Sequence, residues 1–156
     1  MKSFKHLLFV AGVCTLVLLS NATVSATGQS PGIYVVDRLV ADVFTDIEGM
    51  ATTDKIFNLP DKGNPLDLIT EELKLRNYSE LHLFLLTKPG SMIFDELNIL
   101  AENVTEYASQ FGEWRKYLAP GAKIIIHSDS LTSVPDGVAL VERISELTGV
   151  TVVVQN

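Results

Sequence analysis

Short β-branched runs alternate along this chain with longer stretches whose apolar residues recur at helical spacing. The first run, "IYVVD" at 33–37, has the length and branching of a strand. A weakly helical stretch follows from 38 to about 50, and "KIFNL" at 55–59 predicts a second strand closed by "PDKGNP". Asn64 is placed to cap a helix, with Pro65 at its first position and Asp67 in its first turn. Leu66, Ile69 and Leu73 share one face of that helix. "LHLFLL" at 81–86 is apolar on both faces apart from His82, as a central strand of a parallel sheet must be.

Leu100, Val104, Tyr107, Phe111, Trp114 and Leu118 then predict a long helix from about 99 to 118, stopped by "APG". "KIII" at 123–126 is the next buried strand. A helix over 137–148 follows, with Leu140, Val141, Ile144 and Leu147 inward and Gly149 at its end. "VTVVV" at 150–154 is the last strand. Strands alternating with helices imply right-handed crossovers. The expected fold is α/β, three-layer and doubly wound, with a mostly parallel sheet of about five strands and helices on both faces. In a sheet of order 2-1-3-4-5 the crevice is expected beyond the carboxyl ends of strands one and three. The loops "TKPGS" and "HSDSLTS" would line it.

Composition adds compartment and charge. Lys2, Lys5 and His6 precede the apolar core "LLFVAGVCTLVLL", which is too short for a membrane span and suits a secretory signal. Val24 and Ala26 stand at −3 and −1 of a cut after Ala26. Residues 1–26 are therefore expected to be a signal peptide, 27–32 a flexible lead-in and 33–156 a single domain that is secreted or periplasmic, with no membrane attachment after cleavage. Cys14 lies deep in the apolar core after the bulky Val13, which argues against lipid attachment.

Cleavage leaves 130 of the 156 residues, and the charge moves from −7 to about −9, because two lysines and no acids depart. Such acidity argues against nucleic-acid binding. Cys14 is the only cysteine, so the mature chain has no disulfide, thiol nucleophile or thiolate metal site. Sequons at Asn77 and Asn103 carry weight only in a host that glycosylates exported proteins.

The order of these pieces, "IYVVD", "IFNLPDKGNPLDLITEEL", "LHLFLLTKPGSMIF", "YASQFGEWRKYLAPGAKIII" and "GVALVERISELTGVTVVV", resembles the family called domain of unknown function 4347. The resemblance covers about 33 to 155. It implies a caspase-like fold, akin to the flavodoxin-like order above, and a place among large secreted adhesin-like bacterial proteins. Family members carry Ser-His-Gly after the third strand and Tyr-Gly-Cys-Asp after the fourth, the sites of a His/Cys dyad. In this chain the corresponding positions are Leu86 and Asp129, while Gly90, Gly137 and the "LTG" of 147–149 keep the family frame. Leu86 cannot act as a base, and there is no thiol to activate. Cysteine-peptidase chemistry is excluded.

Other chemistry remains to be weighed. Ser128 and Ser130 are potential nucleophiles beside His127 and Asp129, but adjacent strand residues point to opposite faces, so Ser128 and His127 should not meet. His82 reads as a hydrogen-bonded structural histidine at the rim opposite the crevice. Asp37, His127, Asp129 and Asp136 could in principle supply oxygen and nitrogen to a cation, but no metal-loop spacing is present, and no metal or cofactor is expected. Asp37 reads first as a cap. Lys88 could pair with Asp129 across the crevice. Trp114 and Tyr117 read as packing.

The expected crevice residues are Asp37, Thr87, Lys88, Gly90, His127, Ser128 and Asp129. The expected function is a secreted, non-catalytic caspase-like binding or structural module for a protein or peptide ligand. Its alternatives are a hydrolase altered around His127 and Asp129, and an accessory or inhibitory partner of an active relative.

Overall fold

The computed structural model describes residues 30–42 and 52–155. The signal segment and half of the lead-in (residues 27–29) lie outside those residues, as does the predicted helical stretch beyond 42. Its described part, residues 38–42, forms turns.

Five parallel strands make the main sheet. They are β1 (Gly32–Val36), β2 (Lys55–Asn58), β3 (Tyr78–Phe84), β7 (Leu118–His127) and β8 (Thr151–Gln155), in the order β2-β1-β3-β7-β8. All four neighbouring pairs run parallel. The α/β class and the 2-1-3-4-5 order are those expected from the sequence. Every sequential step from β2 onward moves across the sheet in one direction, so right-handed crossovers place their helices on one face. Three helices lie there and pack in sequence against one another: α1 (Pro65–Leu73), α2 (Ala108–Tyr117) and α3 (Pro135–Thr148). The β1-to-β2 step runs the other way and leaves from the opposite face, where Val40 and Ala41 pack on Tyr34, Val36 and Phe84.

The core lies between the sheet and the helix layer. Ile33, Val35, Leu81, Leu83, Ile124 and Ile126 point into it from the strands, and Leu66, Ile69, Phe111, Trp114, Leu140 and Ile144 meet them from the helices. Trp114 is fully buried, and its indole N–H donates to Thr70 Oγ1 at 3.0 Å. α1 begins as its sequence implies: the Asn64 side chain accepts from the Leu66 and Asp67 amides at 2.9 and 3.3 Å. α3 ends at Gly149, whose φ of 62° closes a left-handed cap.

The long helix expected from 99 to 118 is not formed as such. Its first two residues instead close an antiparallel meander that precedes it: β4 (Leu86–Lys88), β5 (Ser91–Phe94) and β6 (Leu97–Leu100). A 3-10 turn over Val104–Tyr107 then leads into the shorter α2. Met92, Phe94 and Ile99 are buried on alternating positions, the period of a strand rather than a helix. Two tight turns produce the meander. Pro89-Gly90 joins β4 to β5 with Gly90 at φ 79°, and Asp95-Glu96 joins β5 to β6 with Asp95 at φ 50°. α2 ends at Tyr117, just ahead of "APG" as read; Leu118 opens β7 opposite Tyr78, and the register with β3 shifts across 119–122 before Lys123 pairs with Glu80. Among the described residues no helix is long and apolar enough to cross a membrane.

Candidate functional site

A cavity of about 470 Å³ opens beyond the carboxyl ends of β3, β7 and β8. It is lined by Val40, Leu85, Leu86, Thr87, His127, Ser128, Asp129, Ser130 and Gln155. The expected crevice between the first and third strands is thus displaced toward the fourth and fifth. The reason is local. After β1 the chain is tied down at once: Asp37 donates its amide to the Phe84 carbonyl at 2.8 Å, and its buried carboxylate accepts from the Leu39 amide at 2.8 Å. Asp37 is a turn cap, the first of the roles read for it, and only Val40 reaches the cavity from that loop.

The seven expected crevice residues divide. Thr87, His127, Ser128 and Asp129 line the cavity; Asp37, Lys88 and Gly90 do not. Lys88 is an exposed residue of β4, and among the described residues no ion pair joins it to Asp129. Gly90 has a structural task. Its amide donates to the Leu131 carbonyl at 3.0 Å, and its Cα approaches Gly137 closely. A Cβ on Gly137 would stand 1.7 Å from the Leu131 oxygen, so only glycine fits where the β4–β5 turn meets the start of α3. Gly90 and Gly137 therefore lock the meander to the helix layer beside the cavity.

Ser128 is occupied. Its Oγ accepts from the Ser130 and Leu131 amides at 3.2 and 2.9 Å and lies 2.7 Å from Thr87 Oγ1. A hydroxyl has two acceptor sites and one proton. Both acceptor sites are filled, so Ser128 donates to Thr87, and the Thr87 proton remains for a ligand. Ser128 also donates its amide to the Gln155 carbonyl at 2.9 Å. As the strand geometry predicts, Ser128 and His127 make no hydrogen bond with each other among the described residues.

His127 lies on the other face of the sheet, stacked on Phe84 with ring centroids 3.9 Å apart. Its Nε2 is 3.1 Å from His82 Nδ1, and His82 Nε2 is 3.2 Å from Glu80 Oε2. His82 in turn stacks on Tyr34 at 4.2 Å. Burial, and next the neighbouring His82, lower the His127 pKa to about 4, so the ring is uncharged at neutral pH. His82 is a hydrogen-bonded structural histidine, as read, yet it is coupled to the cavity rather than remote from it. The coupling follows from the register: β3 and β7 pair Phe84 with His127, which sets His82 one same-face step away.

Leu86 and Asp129 both line the cavity. Leu86 exposes an apolar side chain there, and Asp129 an exposed carboxylate. Among the described residues no three His, Cys, Asp or Glu side chains converge as a metal site, so Asp37, His127, Asp129 and Asp136 do not form one.

Comparisons with curated proteins and with solved structures returned no match. The family model for a domain of unknown function, DUF4347, matches residues 33–156, and the chain belongs to that family.

Proposed function

We propose that this chain is an exported, non-catalytic binding module that receives a protein or peptide segment in the cavity beyond β3, β7 and β8. The observation that carries this reading is the state of Ser128. The cavity's buried hydroxyl is held by two backbone amides and Thr87, and among the described residues no base is hydrogen-bonded to it. A nucleophile needs a base within hydrogen-bond reach to be activated. Leu86, at the position of the family's histidine, supplies apolar surface instead. The resemblance to a caspase-like frame supports a peptide as ligand, and the amino-terminal signal supports export.

Selection of displayed peptides against residues 27–156 tests the reading. Peptides should be recovered that bind the wild type and lose at least tenfold in affinity to Leu86→Asp, which places a charge on the cavity wall. Folding of the variant is checked by its amide spectrum. Recovered peptides that bind both proteins equally would move recognition to another surface. Cleavage of recovered peptides that disappears in Asp129→Ala would replace the module by a hydrolase.

A further inference from the structure

The ligand chemistry of the cavity can be read from the direction of its hydrogen bonds, an inference that rests on the binding role above. An ionised carboxylate only accepts hydrogen bonds, so Glu80 obliges His82 to carry its proton on Nε2. When that is its one ring proton, His82 offers a lone pair at Nδ1, and the 3.1 Å contact then requires the proton of His127 to sit on Nε2. The remaining ring nitrogen of His127, Nδ1, is left as an acceptor. Among the described residues it has no partner, and no fully buried side-chain nitrogen or oxygen lacks one, so Nδ1 is not sealed from solvent. His127 and Asp129 both line the cavity, and between them they carry two acceptors, the Nδ1 lone pair and the carboxylate. Val40, Leu85 and Leu86 supply apolar wall.

We propose that this cavity takes a protonated amine or guanidinium carried on a short apolar arm, and that Glu80 and His82 are positioning residues that hold His127 Nδ1 as its acceptor. The cationic head meets Asp129 and His127, and the arm lies along Leu86 and Val40. An uncharged His127 does not repel such a head, and the acidic chain attracts it.

Two measurements at pH 8 on residues 27–156 test this. The first is the nitrogen-15 spectrum of the imidazoles without ligand. His127 should be protonated on Nε2 and bare on Nδ1, and His82→Phe, which retains the stack on Tyr34, should give a mixture of both tautomers. Glu80→Gln, a change at a half-exposed side chain, should do the same, because an amide can donate as well as accept. A wild-type His127 protonated on Nδ1 overturns the relay. The second is a titration with n-butylamine, butyrate and 1-butanol, followed at the amides of Leu86, Thr87 and Asp129. Butylamine should saturate these shifts, and Asp129→Asn should weaken it about tenfold, the loss expected for one charge-assisted hydrogen bond. Saturation by butyrate or butanol without butylamine overturns the ligand class and leaves the binding cavity standing. No shift with any of the three overturns both.

Discussion

At the scale of single residues, His127 links protonation to folding. Its pKa is lowered to about 4 in the fold, first by burial and then by His82, whereas the unfolded chain has the ordinary value near 6.5. Between these values the unfolded state binds more protons, so stability rises with pH through this window and is lost as pH falls from about 6.5 toward 4. For a half-buried ring this corresponds to on the order of 1–2 kcal/mol after solvent screening. Thermal melts of wild type and His127→Gln from pH 7 to 4.5 should converge as the pH drops. Parallel melting curves would show that His127 carries no such linkage. Gly137 is a second sensitive position. Gly137→Ala forces the Leu131 carbonyl aside and should cost about 2–4 kcal/mol in urea unfolding. A cost under about 0.5 kcal/mol would mean that the β4–β5 turn is not held as tightly as its geometry implies.

At the scale of elements, the fully buried Trp114 and Thr70 join α2 to α1 through one hydrogen bond. Thr70→Val keeps the volume but strands the indole N–H, and chemical denaturation should show a loss of about 1–3 kcal/mol. Thr70→Ser, which retains the hydroxyl, should recover most of it; equal losses in both would assign the effect to packing. The same region shows where the sequence was legible. Asn64-Pro65 announced α1, and the apolar runs announced β1 and β8 to within a residue and β3 to within three. The meander was hidden because Leu100, Val104, Tyr107 and Phe111 do recur at helical spacing, although a strand, a 3-10 turn and a helix share them. Pro89-Gly90 was the overlooked signal: flanked by short apolar runs, it marks a tight turn. At the site, the loops after β3 and β7 were legible because open parallel sheets place sites at carboxyl ends. The coupling of His82 to His127 was not, because it depends on a register between strands 45 positions apart in the chain.

At the scale of the whole molecule, the sheet sets where the domain starts. β1 is flanked by β2 and β3, so it is interior although it is the first described strand. The chain is also held just ahead of it and at its first residue: the Pro31 carbonyl accepts from the Ser79 amide at 3.0 Å, and the Gly32 amide donates to Asp54 Oδ1 at 2.8 Å. Residues 27–156 should therefore unfold in one cooperative transition. Residues 34–156, lacking these anchors and the start of an interior strand, should be destabilised by at least about 2 kcal/mol or fail to fold, as followed by circular dichroism. Equal midpoints would place the start of the domain later than the hydrogen bonds indicate.

Parallel strands also sort the two ends of the described chain. β1 starts at the amino edge of the sheet, and β8 finishes at the carboxyl edge, where the Gln155 carbonyl holds the Ser128 amide and Gln155 lines the cavity. A purification handle or fluorophore joined after residue 156 would thus emerge at the cavity mouth, where it could report occupancy or compete for it. The same group joined ahead of β1 would sit at the far edge and leave the cavity clear. Immobilising the domain by one end or the other is therefore a choice between masking its site and presenting it.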